Sequence, residues 1–534
     1  MVAWSRAVRA RASRSRSGTP ASARTELRDA RAAGAAHTPC ARSADWTGTL
    51  SSSHDLIVIG AGPAGAAAAV AATACGLSVL VLDEGRAGGG RIHRPPDSWR
   101  EHSGTSQVGS AEGRALRAEL SSCGAELAFE HCVWHVGLLP GNADNAPRFE
   151  VSALAAESRR QAQGRALVVA TGAIERFYPR PGWTLPGVVG LGAATLMLKA
   201  SGVLPGRRVA VVGPGPLAVS VARLIVDAGG EVVAICDPNP LHAWVKALPA
   251  MARQPGRLAR GSAGLAGLAL KAVPTYRGWD VRAIHGEQDV EGMTVGRVDG
   301  QWRPLPQSEE RSIAADAVCI GYGFAPATDV YQLLGAARRY DSALGGWTPV
   351  LDRGQRSNVP GLYGAGDSAG VLGAAAASDT GRIAALSAAL DLGYLDAVTY
   401  ERKIRATRRS PARAASFGSA VSRLVQPRAT AVGWVPDHTV VCRCEDIHAG
   451  ELRAAIAAGA QEINALKAAT RCGMGPCGGR VCGEAAGALL ESAGFSRERS
   501  GQLTARAPLR PVPLSALTGS FDYGDIPFPQ TADT

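Results

Sequence analysis

Short apolar runs alternate along the chain with stretches rich in Ala and Gly, which is the pattern of parallel strands joined by helices. The first run covers Leu56 to Ile59 and ends at Gly60, a helix-like stretch follows from Ala66 to Ala74, and a second run covers Ser78 to Leu82. Similar strand-like runs recur at 166–170, 208–212, 231–235 and 316–323. We therefore predict an α/β chain with two nested Rossmann-like domains.

The first strand–helix junction has the glycine spacing of a dinucleotide-binding turn. Gly60 allows the tight turn, Gly62 lets the backbone approach a pyrophosphate, and Gly65 lets the helix pack on the strand. Asp83 and Glu84 end the second apolar run, where an acid can accept hydrogen bonds from ribose hydroxyls. The candidate cofactor-binding residues of this unit are Gly60, Gly62, Pro63, Ala64, Gly65, Asp83 and Glu84. The alternative is an Ala/Gly-rich βαβ unit that binds no nucleotide.

Three later segments extend this candidate site towards a flavin. The Gly-rich stretch from Gly88 to Arg94 can pass close to the cofactor with Arg91 or Arg94 facing a phosphate, although it can also be a plain flexible loop. Thr171 and Gly172 follow a buried strand where the chain crosses into an inserted domain. Gly366 and Asp367 end another strand about 300 residues after the first turn, where a carboxylate can accept from a ribitol hydroxyl. This closure around an insertion predicts FAD.

A second glycine turn opens the inserted domain, with Gly213 and Gly215 as its candidate cofactor-binding residues. Pro214 and Pro216 each remove an N–H donor from this turn, so a scaffold without a nucleotide is an equal alternative. If the turn binds a cofactor, Asp237 at the end of the next strand favours a free ribose hydroxyl, and hence NAD or another adenine nucleotide over NADP.

Five of the eleven cysteines lie between positions 442 and 482, a crowding that predicts metal ligation in a reducing compartment. Cys442, Cys444, Cys477 and Cys482 are the candidate metal ligands, spaced as C-x-C, 32 residues, and C-x4-C. Four thiolates suit a [2Fe–2S] cluster, and a structural zinc site is the alternative. Cys472 is interpreted as a spare thiol that could replace one of the four.

The net charge of +11 is confined to two segments. Residues 1–53 contain nine Arg against three acids, and residues 401–430 contain eight Arg or Lys against one acid. Neither accompanies a nucleic-acid-binding motif, so nucleic acid is not an expected partner. No apolar window is long enough to span a membrane, and we expect a cytoplasmic protein, with association with the inner face of the membrane as the alternative.

These motifs resemble the FAD-dependent oxidoreductases that have a bacterioferritin-associated-ferredoxin-like (BFD-like) [2Fe–2S] domain, over about residues 54–520. This group includes the A subunits of octopine and nopaline oxidase, the B subunit of hydrogen cyanide synthase and the large subunit of D-hydroxyproline dehydrogenase. The resemblance rests on 170–176, 181–187, 202–206, the Cys442 to Cys482 set and the Arg/Pro-rich tail. The chain departs from the group at Arg91, His93 and Cys472 and in a short loop after Arg94.

The resemblance implies glutathione-reductase-type domains and a small helical BFD-like domain. The expected segments are a disordered Arg-rich leader (1–53), an FAD-binding domain in two parts (54–182 and 316–400), an inserted NAD-type domain (183–315), a basic linker (401–437), the [2Fe–2S] domain (438–495) and an extended Pro-rich tail (496–534).

The resemblance also implies that the chain is one subunit of a hetero-oligomer. The implied partners are a smaller FAD subunit of the D-amino-acid-oxidase type, which oxidises a CH–NH donor, and a small [2Fe–2S] subunit. Electrons would then pass through the flavin and the cluster to an acceptor, and no catalytic residue is assigned. The alternatives are a self-sufficient NAD(P)H-dependent flavin oxidoreductase, a hydrogen cyanide synthase subunit, and a non-enzymatic redox sensor or scaffold.

Overall fold

The computed structural model of the chain describes residues 50–96, 110–139, 148–155, 158–408 and 411–517. Most of the predicted leader and the end of the predicted tail therefore lie outside the described residues. The described part combines strands and helices in the order that an α/β fold predicts.

The strands are numbered in chain order. They are β1 Leu50–Ile59, β2 Val79–Asp83, β3 Glu126–Phe129, β4 Cys132–Leu138, β5 Phe149–Ala155, β6 Ser158–Val169, β7 Ala173–Glu175, β8 Val188–Gly190, β9 Arg208–Val212, β10 Glu231–Asp237, β11 Thr275–Arg277, β12 Trp279–His285, β13 Gly292–Arg297, β14 Glu310–Ala314, β15 Ala317–Ile320, β16 Phe324–Pro326, β17 Arg338–Asp341, β18 Gly346–Pro349, β19 Leu362–Gly364, β20 Val440–Cys442 and β21 Ile447–His448.

The α-helices are numbered in the same way. They are α1 Pro63–Thr73, α2 Ala111–Ser122, α3 Leu191–Leu196, α4 Pro216–Asp227, α5 Leu241–Met251, α6 Pro255–Leu270, α7 Asp329–Leu333, α8 Ala374–Asp391, α9 Ala397–Arg408, α10 Pro411–Leu424, α11 Thr430–Gly433, α12 Ala449–Ala457, α13 Ile463–Thr470, α14 Gly483–Ser492 and α15 Arg497–Ser500. A π-helical turn, Met197–Ser201, continues directly from α3.

The first sheet contains seven strands in the order β3-β2-β1-β6-β5-β4, with β19 paired to β6. The strands β1, β2, β3, β6 and β19 are parallel, so their carboxyl ends meet at one edge. Leu362 of β19 pairs with Leu167 of β6, which joins the two distant halves of this domain in one sheet. Ligands of open α/β sheets bind at such carboxyl edges.

The second sheet contains five parallel strands in the order β11-β10-β9-β15-β8. We had expected residues 316–323 to begin the second half of the FAD-binding domain, but Ala317 pairs with Val209 and Val318 with Val188. The inserted domain therefore continues through Ile320 rather than ending at 315. A short, wholly apolar strand fits either parallel sheet, and only its pairing decides between them.

Residues 401–437 are largely helical, where a basic linker was expected. The last part of α10 packs Ala420 and Leu424 against Ala247 and Met251 of α5. These positions recur at helical spacing, a signal that the Arg and Pro content of the segment obscured.

The small domain of β20, β21 and α12 to α14 packs against the second sheet in a shared core. The fully buried Arg180 fixes this junction, since it donates to Asp280 Oδ2 at 2.6 Å and to the Ala431 carbonyl at 3.0 Å. After α15 the chain runs without helix or strand to Pro513, and the Leu509 N–H donates to the Trp134 carbonyl at 2.7 Å. Within the described ranges, each helix is too short or too polar to cross a membrane.

Candidate functional site

The first glycine turn lies at the carboxyl edge of the first sheet, between β1 and α1. A side chain on Gly60, whose φ is +103°, would collide with the Ala170 carbonyl, and one on Gly65 would collide with the Gly60 carbonyl. At Gly62, by contrast, the one atom of the described residues that a Cβ would meet within 4 Å is the Gly90 Cα, at 3.8 Å. Gly60 and Gly65 therefore serve packing, whereas the Gly62 backbone borders open space.

Helix α1 begins at Pro63 and has no side chain capping its N-terminus. The first N–H that bonds back along the helix is that of Ala66, which donates to the Gly62 carbonyl at 2.9 Å, so the N–H groups of Ala64 and Gly65 lie at the open end of the helix. Such uncapped N–H groups, aided by the helix dipole, favour a bound phosphate.

The two candidate ribose ligands differ in their surroundings. Asp83 is largely buried and accepts from the Ala61 N–H and the Gly85 N–H, both at 2.6 Å. Burial raises the pKa of Asp83, while these two hydrogen bonds act in the opposite direction. Glu84 is exposed. Asp83 thus braces the glycine turn with its two oxygens, a structural role that the sequence analysis did not foresee.

The Gly-rich segment crosses in front of the same turn. The Gly89 N–H donates to the Ala61 carbonyl at 2.8 Å, and Gly90 lies against Gly62. The Arg91 guanidinium donates to the Ala173 carbonyl at 2.8 Å. The Arg91 side chain therefore reaches from the segment in front of the glycine turn to the start of β7.

Thr171 and Gly172 follow β6, and the Thr171 hydroxyl donates to the Ala327 carbonyl at 3.1 Å. Gly366 lies against Ala64 of α1, where a Cβ would be 2.8 Å from the Ala64 methyl group. Asp367 accepts with Oδ1 from the N–H groups of Leu372 at 3.2 Å and Gly373 at 3.1 Å. Burial raises the pKa of Asp367, and its Oδ2 can accept from a hydroxyl group.

These residues fit FAD. Gly62, Gly172 and Gly373 follow the parallel strands β1, β6 and β19 and border open space, since a Cβ at the last two would meet no described atom within 4 Å. We call this candidate cofactor site the flavin groove. Helices α1 and α8 both begin at this groove, and neither N-terminus is capped by a side chain. The N-terminus of α1 suits the phosphates and the N-terminus of α8 suits the flavin end of the cofactor, so the groove can hold FAD in an extended form.

The second glycine turn is covered by the chain itself. A Cβ at Gly215 would lie 2.8 Å from Cγ1 of Val425 and 3.9 Å from Cβ of Leu424. The Asn239 side-chain amide donates to the Leu424 carbonyl at 3.0 Å and fixes this cover. Val425 thus lies where a pyrophosphate would approach Gly215.

Asp237, the expected ribose ligand of this second turn, is engaged within the protein. Its Oδ1 accepts from the Asn239 N–H at 2.8 Å and its Oδ2 from the Trp244 indole at 2.7 Å. Asp237 is 4% exposed, and burial raises its pKa to about 6. A dinucleotide does not fit this turn without displacement of Val425 and Trp244.

The cysteines gather at one end of the small domain. The Sγ atoms of Cys442, Cys472 and Cys482 all lie within 4.8 Å of one another, and the Cys444 thiol is within hydrogen-bonding reach of Cys477. No disulfide joins the ten cysteines of the described ranges. In this thiol group, hydrogen bonds from Cys472 and then Cys482 lower the pKa of Cys442. The donor set suits an iron–sulfur cluster, and Cys472 lies with the predicted ligands rather than apart from them.

Two charged residues near the flavin groove were not among the predicted site residues. Both oxygens of Glu175 lie 3.0 Å from the Gly192 N–H at the start of α3, and burial raises its pKa to about 7. Arg176 is fully buried and donates to the Gly345 carbonyl at 2.5 Å and to Glu484 of the small domain at 3.3 Å. The signal in the sequence that could have identified them is an acidic and a basic residue next to each other in the chain, directly after a buried strand.

A family model described as pyridine nucleotide-disulphide oxidoreductase matches residues 54–393, which is more than half of the chain. The chain belongs to this family. A second model, the BFD-like [2Fe–2S] binding domain, matches residues 440–492 of this flavin oxidoreductase. The two matches confirm FAD and a [2Fe–2S] cluster as its cofactors.

Similar proteins cover most of this flavin oxidoreductase. The A subunit of opine oxidase from Agrobacterium tumefaciens is 35% identical over 88% of this chain and 92% of its own length. Hydrogen cyanide synthase subunit HcnB of Pseudomonas aeruginosa is 32% identical over 86% of this chain and 97% of its own length. The predicted family resemblance is thereby confirmed.

Among solved structures, L-proline dehydrogenase from P. horikoshii matches with a TM-score of 0.60 and 19% identity. The match covers 88% of this chain and 80% of that chain. This likeness supports the α/β fold with Rossmann-like domains, and the small iron–sulfur domain is shown by the second family model.

Proposed function

We propose that this flavin oxidoreductase is the electron-transferring subunit of a dehydrogenase for an amine or imino acid of the opine or D-hydroxyproline class. FAD supplies two-electron chemistry and the cluster supplies one-electron chemistry, so a chain with both can connect a donor to a one-electron acceptor. The names of the similar proteins, subunits of opine oxidase and of hydrogen cyanide synthase, support a role within a larger enzyme.

The observation on which the proposal chiefly rests is the covered second glycine turn. In a self-sufficient NAD(P)H-dependent enzyme this turn would receive the reducing nucleotide. Here Val425 lies against Gly215, and both oxygens of Asp237 are engaged by the protein. Electrons therefore enter from another source, for which a partner subunit is the simplest candidate.

A second observation supports transfer between the two cofactor regions. The Thr171 hydroxyl at the flavin groove donates to Ala327, and two residues later Asp329 pairs with Arg480 at 2.5 Å. Arg480 in turn donates to the Cys477 carbonyl at 2.9 Å. The segment 327–329 thus contacts the flavin domain through Thr171 and the cysteine loop through Arg480, and so links the two cofactor regions.

The proposed donor is a smaller FAD subunit of the D-amino-acid-oxidase type, and a small [2Fe–2S] subunit would complete the assembly. The proposed site residues on this chain are those around Gly62, Arg91, Thr171 and Asp367 for FAD. For the cluster we propose Cys442, Cys444, Cys477 and Cys482. No catalytic base is assigned to this chain, since the donor would be oxidised on the partner.

The test compares the purified chain alone with the chain co-purified with such a smaller FAD subunit. The chain alone should contain flavin and iron but reduce no dye acceptor with an opine, D-hydroxyproline or glycine as donor, and NADH should not bleach its flavin anaerobically. Full activity of the isolated chain, or rapid bleaching by NADH, would refute the proposal. Cyanide release from glycine by the complex would instead assign it to the hydrogen cyanide synthase variant of the same role.

A further inference from the structure

The small domain offers its cluster one thiol more than a [2Fe–2S] cluster takes from a protein. Four cysteines suffice for such a cluster, yet five converge here. Cys442, Cys472 and Cys482 form a buried trio whose Sγ atoms lie within 4.8 Å of one another, and each is at most 3% exposed. The Cys472 thiol therefore lies beside two of the predicted ligands rather than apart from them.

The remaining two cysteines form a separate pair. Cys444 is exposed and Cys477 is half-buried, and the Cys444 thiol is within hydrogen-bonding reach of both the backbone and the side chain of Cys477. The five thiols thus divide into an outer pair, Cys444 and Cys477, and the buried trio.

The backbone fixes the position of Cys472. Helix α13 ends at Thr470, and Arg471 turns the chain with a φ of +66°. The Cys472 N–H donates to the Thr470 hydroxyl at 3.3 Å, and Leu503 packs over the next residue, Gly473. The thiol is thereby held inside the trio by the helix end rather than by a flexible loop.

We propose that Cys472 is an alternative ligand of the cluster, able to replace Cys442 or Cys482. Two thiolates are needed at each iron of a four-thiolate, two-iron cluster, so the outer pair would serve one iron and any two members of the trio the other. The trio therefore contains one thiol more than its iron needs, whereas the outer pair contains no additional thiol. This proposal rests on the [2Fe–2S] domain of the proposed function.

The test uses the full chain with alanine in place of single cysteines, because alanine removes the ligand with little change of volume. The variants are C442A, C482A, C472A, C477A and the double variant C472A/C482A, each reconstituted anaerobically with ferrous iron and sulfide. Iron and acid-labile sulfide per chain are measured together with the electron paramagnetic resonance spectrum after dithionite reduction. Flavin per chain reports whether each variant is folded.

Wild type, C472A, C442A and C482A should each bind about two irons per chain, the last two with shifted g-values because one ligand has changed. C477A and C472A/C482A should lose most of their iron while keeping their flavin. Loss of iron in C442A and C482A to the level of C477A would overturn the proposal, as would retention of the cluster in C472A/C482A. Both results leave the proposed function intact, whereas a wild-type chain without iron would refute both.

Discussion

Replacement of Gly62 by Ala tests the flavin groove at a position where an effect on cofactor binding can be distinguished from an effect on packing. The φ of Gly62 is −70°, which alanine adopts freely, and the added Cβ would meet only the Gly90 Cα, at 3.8 Å, among the described residues. The fold should therefore tolerate the change. The methyl group would stand in the open space beside the N-terminus of α1, where the pyrophosphate has to approach.

Displacement of the phosphate should cost one hydrogen bond to a charged group, about 1.5–3 kcal/mol. This corresponds to roughly 10- to 150-fold weaker binding of FAD. The dissociation constant is measured by titrating the apoprotein with FAD and following the quenching of flavin fluorescence. Thermal unfolding of the apoprotein should be unchanged within about 1 kcal/mol.

The matched control is Gly264→Ala on α6, where the added Cβ meets no described atom within 4 Å and where no groove residue lies. This variant should bind FAD as the wild type does and should be slightly more stable, because alanine favours a helix over glycine by up to about 1 kcal/mol. Wild-type affinity in Gly62→Ala would show that the pyrophosphate does not pass this glycine. A large loss of apoprotein stability would show that Gly62 serves packing, as Gly60 and Gly65 do.

Three further predictions concern ion pairs and protonation. Asp280→Asn should lower the free energy of unfolding by about 3–5 kcal/mol in denaturant titration, because it leaves the fully buried Arg180 charge unpaired; a change below about 1 kcal/mol would contradict this. Burial raises the pKa of Glu175 from 4.5 to about 7, so between these values the folded chain keeps a proton that the unfolded chain has lost. Stability of the apoprotein should then fall by up to about 3 kcal/mol as the pH rises through this window, and Glu175→Gln should abolish that slope, which an unchanged slope would refute. Arg480→Gln should slow flavin-to-cluster electron transfer in stopped-flow experiments without loss of iron, since it frees the cysteine loop from Asp329; an unchanged rate would show that other contacts position the loop.

Local sequence patterns were sufficient to predict the structure where only one residue type can meet the structural requirement. The glycines at 60 and 65 are required because any side chain there would collide with a neighbouring carbonyl. The cysteine spacing similarly restricted residues 442–482 to a thiolate site, and the family match confirms the cluster. In both cases the spacing of one residue type can be read from the chain without knowledge of what packs against it.

Local patterns were insufficient where partners are distant in the chain. The strand at 317–320 is apolar throughout and suits either parallel sheet, and its assignment depends on pairing with residues about 110 and 130 positions earlier. Residues 401–437 suggested a linker by composition, yet Ala420 and Leu424 pack on α5 and make the segment a helical cover. Charge and proline content do not indicate what a segment lies against.

The sequence by itself thus determined the fold class, the first glycine turn and the thiolate chemistry, because backbone sterics and ligand type are local properties. Only the tertiary structure decided that Val425 closes the second glycine turn and that Asp237 is engaged by Trp244. It also placed Cys472 beside two of the candidate ligands, Cys442 and Cys482. The Val425 contact joins segments far apart in the chain, and all three arrangements are set by the packing of the whole domain.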